Sequence, residues 1–212
     1  MEYSPEYFQY SRQEMLQFIP KGVKTSLEVG CGAGRFSRSL RSKGIEAWGI
    51  EPEKEAFEEA IKNDIKCLNG LLHDRYAELP KYYFDVVVFN DVLEHMRDPW
   101  DALQLAKSLL RPGGHIVSSI PNIMYFPAFT DLLISRNFKY TTGGIFDRTH
   151  LRFFTRRSIV HLFESSGFEI KEIKGIHAYK SRKFTCFNVL TFGYFDEMKY
   201  MQFGVRAAIR TL

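Results

Sequence analysis

Leu27-Glu-Val-Gly-Cys-Gly-Ala-Gly34 decides how this sequence is read. Residues 25–29 have the apolar character of a buried strand, and glycines at 30, 32 and 34 follow at once. Such glycines let the chain turn tightly and let its backbone approach a ligand with no Cβ in the way. The amphipathic stretch 35–43 then starts a helix, whose first amides are free to donate to a polar group. Working outward, the same rhythm recurs. Gly44 can close the first helix, 45–50 reads as a second strand, and Pro52 with Glu53 and Glu55 suits the opening of a second helix. Residues 85–89 form an apolar run expected of a strand buried on both faces. Asp98 is placed to N-cap a helix with Pro99 at its first position and Leu103, Ala106 and Leu110 on one face. Arg111-Pro-Gly-Gly114 breaks that helix and leads into a strand at 115–120. Thr155 can cap a helix with Ile159, Leu162 and Phe163 inward, ending near Gly167, and strands follow at 168–173 and 203–209. This alternation predicts one α/β domain over 1–212, a mostly parallel sheet covered by helices on both faces.

Composition narrows the class. Of 212 residues, 45% are hydrophobic and 25% charged, as in ordinary soluble globular proteins. No run approaches the roughly 20 apolar residues that span a bilayer, and the first ten residues lack an apolar signal-peptide centre, so a cytoplasmic location is expected. Cys31, Cys67 and Cys186 are far apart and odd in number, and the six histidines are scattered, so neither a disulfide framework nor a metal site is expected. The net charge of +4 is uneven: residues 136–183 carry an excess of +7. Such a segment attracts an anionic substrate or surface, or is a solvated face. No recognition motif accompanies it, so nucleic acid is not an expected partner.

Glu51 ends the second strand, 21 residues after Gly30, where an acid can accept bonds from two ribose hydroxyls. The glycine spacing is G-x-G-x-G with Arg35 next, one residue short of the dinucleotide pattern G-x-G-x-x-G, which sets NAD chemistry behind.

These residues, with Phe84-Asp-Val-Val-Val88, Asp91-Val-Leu-Glu-His95 and Leu110-Arg-Pro-Gly-Gly114, resemble the class I S-adenosylmethionine (SAM) dependent methyltransferases over about residues 10–173. The likeness is closest to the UbiG-like group of types 11, 12 and 23. It implies a Rossmann-like seven-stranded sheet of order 3-2-1-4-5-7-6 with strand 7 antiparallel, SAM as methyl donor and S-adenosylhomocysteine (SAH) as product. It also implies that Glu28, Gly30, Gly32 and Gly34 hold the methionine end, that Glu51 holds the ribose, and that Asn90 and Asp91 stand beside the methionine end. Asn69, Gly70 and Leu71 fall at the adenine position, without the Asp common there. Residues 1–24 resemble a covering helix from which Tyr10 and Arg12 close over the cofactor. His95, in the Leu-Glu-His form of its motif, either completes a hydrogen-bond network or takes part in catalysis.

Residues 121–154 break the α/β rhythm, hold many aromatics and follow a sheet strand, the place for a binding cover on the acceptor side. Asp147 and His150 are three apart, close enough in a turn for the carboxylate to orient an imidazole that takes a hydroxyl proton. Arg148 and Arg152 could grip an anionic group; the other reading is a turn stapled by salt bridges. With Pro121-Asn122, the segment resembles a subgroup met in polysaccharide biosynthesis. That implies a small-molecule or glycan-precursor hydroxyl as acceptor, contacted by Asn122, Arg148 and Arg152. An N- or C-methyltransferase of a quinone-like or small-acid substrate and a catalytically silent SAM-binding regulator are the alternatives. The aromatic stretch Phe184, Phe187, Phe192, Tyr194 and Phe195 suits an acceptor wall, a homodimer surface or a core helix.

Overall fold

Apolar strands with helices between them can bury both faces only by lying side by side, and the computed structural model, which describes residues 11–210, arranges them so. The strands are β1 (Thr25–Val29), β2 (Glu46–Glu51), β3 (Lys66–Asn69), β4 (Phe84–Asn90), β5 (Leu110–Pro121), β6 (Phe168–Ala178) and β7 (Tyr200–Ile209). They form one sheet in the order β3-β2-β1-β4-β5-β7-β6, with β7 antiparallel to both neighbours. This is the order that the resemblance implies. Every residue of β4 is buried. Its side chains alternate between two apolar clusters: Val87 and Phe89 join Leu103, Ile159 and Phe163 on one face, whereas Val86 and Val88 join Phe18, Phe36 and Leu40 on the other.

The helices are α1 (Arg35–Arg41), α2 (Lys54–Lys62), α3 (Leu72–Arg75), α4 (Pro99–Leu109), α5 (Phe126–Ser135), α6 (Arg156–Ser165) and α7 (Arg182–Leu190). The expected caps are formed. The Asp98 carboxylate accepts from the Asp101 amide at 2.9 Å, and Thr155 and Ser158 make a reciprocal capping box. No helix among the described residues is long and apolar enough to cross a membrane.

Several expectations change. Leu110 opens β5 instead of closing α4, because the chain turns extended after Leu109. The interval 121–154 contains α5, a ten-residue helix with no buried residue, which is why it lacks a core-facing period. Of the N-terminal cover, the described part is a 3₁₀ helix, Gln13–Phe18, whose Phe18 ring lies against Gly204 of β7, where a Cβ would overlap it. Tyr10 lies outside the described residues. Cys31 and Cys67, remote in sequence, meet as thiols with their sulfurs 3.6 Å apart. The aromatic stretch is not a uniform core helix: Phe184 of α7 is buried, but Phe192 beyond it is 99% exposed.

Candidate active site

The glycine turn leaves β1 against the ends of β2 and β4. Gly30 has φ +68° and a Cβ there would stand 2.7 Å from Val92 Cγ2, so both conformation and space demand glycine. Gly34, at φ +74°, starts α1 where a Cβ would meet Ile65 at 2.8 Å. The Gly32 amide donates to Glu51 Oε2 at 2.7 Å and the Glu53 amide to Glu51 Oε1 at 2.9 Å. Burial raises the Glu51 carboxyl above its ordinary value, helped by the Glu53 charge and opposed by these two amides. Each oxygen keeps lone-pair capacity beyond the bond it accepts, as a ribose-binding acid requires.

Glu28 is deeper. Ser37 Oγ donates to its Oε2 at 2.7 Å and Asn90 Nδ2 to its Oε1 at 3.1 Å. Burial pushes this carboxyl up to about 7, with a smaller push from Glu51 and with the Ser37 and Asn90 bonds opposing. Asn90 Oδ1 is buried and has no partner among the described residues. An acceptor left open beside a carboxyl suits a cationic donor, so the residues present fit the ammonium end of SAM.

Asn69 turns its amide onto the Glu51 carbonyl at 2.8 Å and the Pro52 carbonyl at 3.2 Å, binding β3 to β2. Leu71, beside Gly70, is exposed and free to contact a ligand. Asp91 adopts a left-handed conformation, φ 54°, uncommon for a residue with a side chain. Its Oδ1 accepts from Ser119 Oγ at 2.6 Å and Gln202 Nε2 at 3.0 Å, and its Oδ2 pairs with the Arg12 guanidinium. Arg12 also donates to Gln202 Oε1 at 3.2 Å. The N-terminal segment thus reaches the end of β4 through Arg12.

On the acceptor side the fold joins two segments that lie 54 residues apart. The Glu94 carbonyl accepts from the Leu151 amide at 2.8 Å and the Arg152 amide at 3.0 Å, which brings His95 and His150 together with ring centroids 4.7 Å apart. Asp147 does not hold His150. Its Oδ1 accepts from the Thr149 amide at 2.8 Å and the Thr149 hydroxyl at 2.6 Å. Since that hydroxyl gives its proton to Asp147, its oxygen is left to accept from His95 Nδ1 at 3.0 Å. Asp147 therefore orients His95 through Thr149. His150 is oriented instead by the Ile145 carbonyl, 3.1 Å from its Nδ1. Both rings carry their proton on Nδ1 in this arrangement and present a bare Nε2. Burial lowers both imidazoles, His95 to about 4 with His150 adding to the effect; the Thr149 carbonyl and Asp147 oppose this at His95, and the Ile145 carbonyl and Asp147 at His150.

Glu94, between them, is 1% exposed, and neither carboxylate oxygen has a hydrogen-bond partner among the described residues. Burial pushes it up to about 8, with its own backbone amide and Arg12 opposing and Asp147 adding. Sequence reasoning passed over Glu94 and Thr149. The acid at 94 lay inside a quoted motif, but its isolation is a tertiary fact. The histidines are likewise not all scattered: Glu94, His95 and His150 each bring one ligand-type atom within 4.8 Å of the other two.

The remaining candidates are dispersed. Asn122 is buried and fully engaged with backbone: its amide donates to the Glu197 and Tyr200 carbonyls at 3.2 and 3.0 Å, and its oxygen accepts from Met124 at 3.1 Å. It anchors the root of the insertion on β7. Arg152 donates to the Arg97 carbonyl, and Arg148 is exposed.

Comparison with known proteins agrees with this architecture. A family model described as a methyltransferase domain matches residues 3–173. The chain belongs to the methyltransferase-domain family. The ubiquinone biosynthesis O-methyltransferase of Aeromonas salmonicida is 28% identical over 164 residues, covering 73% of this chain and 66% of that protein. Its namesake in Proteus mirabilis is 33% identical over 105 residues, covering 47% and 42%. The chain thus spans at most about two thirds of the length of these relatives. A SAM-dependent methyltransferase from Archaeoglobus fulgidus shares the fold at TM-score 0.71 and 18% identity, over 97% of this chain and 94% of that one. A possible histamine N-methyltransferase from Thermotoga maritima does so at 0.67 and 20%, over 96% and 89%. Both solved structures of this fold are named as SAM-dependent methyltransferases.

Proposed function

We propose that this protein transfers the methyl group of SAM to a hydroxyl oxygen of a small molecule, received at the His95–His150 pair. The carrying observation is that pair: two neutral imidazoles 4.7 Å apart, each fixed through Nδ1 and each with a bare Nε2. SAM, when bound, supplies an electrophilic methyl on a sulfonium centre. Every other task falls to the chain. Glu51 accepts the ribose hydroxyls, Glu28 and the open Asn90 oxygen face the ammonium, and Gly70 and Leu71 flank the adenine. The glycine turn (Gly30, Gly32, Gly34) lets the cofactor lie against backbone, and Arg12 and Asp91 fasten the N-terminal segment over its methionine end. An imidazole Nε2 takes the proton as the acceptor oxygen becomes nucleophilic.

The acceptor reading follows the ubiquinone biosynthesis O-methyltransferase relatives, which are named for methylation at oxygen. A glycan-precursor acceptor draws on the exposed Arg148, which is placed to meet an anionic group near the insertion. The test is a methyl-transfer assay with quinols, catechols, sugar phosphates and nucleotide sugars, run on wild type and on His95→Ala and His150→Ala. Methylation of a hydroxylated acceptor that collapses in a histidine variant while SAH still binds supports the proposal. Full turnover in both variants overturns it.

A further inference from the structure

The structure assigns a reversible oxidation site to Cys31 and Cys67: a peroxide joins the two thiols as a disulfide, which displaces the glycine turn from Glu51. The sulfurs stand 3.6 Å apart, although the residues are 36 apart in sequence. A disulfide bond is about 2.05 Å long, so closure asks for roughly 1.5 Å of approach.

Three observations carry this. First, Gly49 of β2 makes room for the pair. Its backbone is not left-handed and so does not itself demand glycine. Yet a Cβ there would stand 2.5 Å from Cys31 Sγ and 3.2 Å from Cys67 Sγ. The bare backbone at position 49 is what lets the thiols meet. Second, the two differ in access. Cys31 is buried in the turn, whereas Cys67 is half-buried on β3, the edge strand of the sheet. An oxidant meets Cys67 first, and Cys31 stands behind it as the resolving thiol, as in redox-sensing pairs. Contact with Cys67 and burial hold the Cys31 thiol well above its ordinary value, so it keeps its proton until Cys67 has reacted. Third, Cys31 lies inside the cofactor turn. Its amide donates to the Ile50 carbonyl at 3.1 Å, and the next amide, Gly32, donates to Glu51 Oε2 at 2.7 Å. A sulfur drawn toward β3 carries Gly32 with it, and a bond that short has no room to contract.

The reaction balances with hydrogen peroxide as the oxidant. The Cys67 thiolate attacks one peroxide oxygen and the O–O bond breaks. Hydroxide leaves and takes up the proton that Cys67 released, as water, and Cys67 becomes a sulfenic acid. The Cys31 sulfur then attacks the Cys67 sulfur. An S–S bond forms, the S–O bond breaks, and the departing hydroxide takes the Cys31 proton as a second water. The pair has given two electrons and two protons to the peroxide, and a dithiol reductant returns them by thiol–disulfide exchange. The bond and the shift of the turn are independent of what the turn holds; the effect on SAH affinity rests on the proposed cofactor placement.

The experiment uses Cys186→Ser protein, because Cys186 is exposed and would link two chains. Reduced protein is treated with hydrogen peroxide, quenched, and divided into an oxidised sample and one reduced again with dithiothreitol. Peptide mass spectrometry reads the Cys31–Cys67 link, hydrogen exchange reads the Gly32 amide, and calorimetry reads SAH affinity. Cys67→Ser in the same background is the control. The expected result is a linked pair lighter by two hydrogens, faster exchange over residues 30–34, and SAH binding weakened by about tenfold or more. All three should reverse with reductant and be missing from Cys67→Ser. Thiols that stay free or over-oxidise separately, a link with unchanged exchange, or a link that leaves the affinity of an SAH-binding protein untouched would each overturn the assignment. A link with faster exchange, in a protein whose reduced form never binds SAH, would uphold the oxidation site and remove the cofactor placement instead.

Discussion

The two ends of this site are built in different ways. At the cofactor end, Glu28, the glycine turn and Glu51 lie within 24 residues, on two strands that pair directly, and Gly32 donates to Glu51 across that pairing. At the acceptor end, His95 and His150 come from separate loops and meet because the Glu94 carbonyl accepts two amides from the insertion and His95 bonds to Thr149. The first end belongs to the sheet and cannot move without it. The second is assembled from two turns, Leu93–His95 after β4 and residues 145–152 of the insertion, joined by backbone bonds between them. Damage to the cofactor end should therefore reach stability, whereas damage to the acceptor end should reach turnover alone.

The largest effect tests that division at the acceptor end. His150→Ala or His95→Ala should lower kcat by about 10²–10⁴-fold, the usual worth of a positioned proton acceptor. SAH affinity and melting temperature should stay near wild type. A variant that loses SAH binding as well would erase the distinction between the two ends.

Gly30→Ala is the complementary test. It forces a side chain into a left-handed conformation and into Val92, and should cost about 2–5 kcal/mol of stability by denaturant unfolding. Unchanged stability would mean that the turn is as loosely built as the insertion.

The division also predicts how much could be read in advance. Glycines 30, 32 and 34, the acid at 51 and the caps Asp98 and Thr155 are local signals, set by backbone conformation and by short spacings, and all lie where expected. The strand order needed the family resemblance, because periodicity says nothing of neighbours. The Asp147–Thr149–His95 chain was illegible: Asp147 and His150 have the right spacing to pair, but Thr149 between them supplies two closer donors. The engagement of Asn122 was equally illegible, since the carbonyls it binds belong to residues 197 and 200.

A pH effect sharpens the picture of the cofactor end. Glu28 is raised from 4.5 to about 7, with Glu51 and Cys31 as its ionisable neighbours and Ser37 and Asn90 as its polar ones. The folded protein holds this proton more tightly than the unfolded chain, so stability falls as pH rises from about 4.5 to 7. The fall attributable to Glu28 is about 3 kcal/mol. Unfolding of Glu28→Gln should lose that part of the slope. An identical slope in the variant would assign the titration to other groups.

The most direct test of the whole reading is calorimetric titration of the protein with SAH beside Glu51→Ala. Micromolar binding by wild type, weakened about tenfold or more in the variant, is the predicted result and corresponds to loss of a hydrogen-bonded carboxylate at the ribose. Equal affinity in wild type and variant, or no binding by folded wild type, would contradict the placement of the cofactor at Glu28 and Glu51.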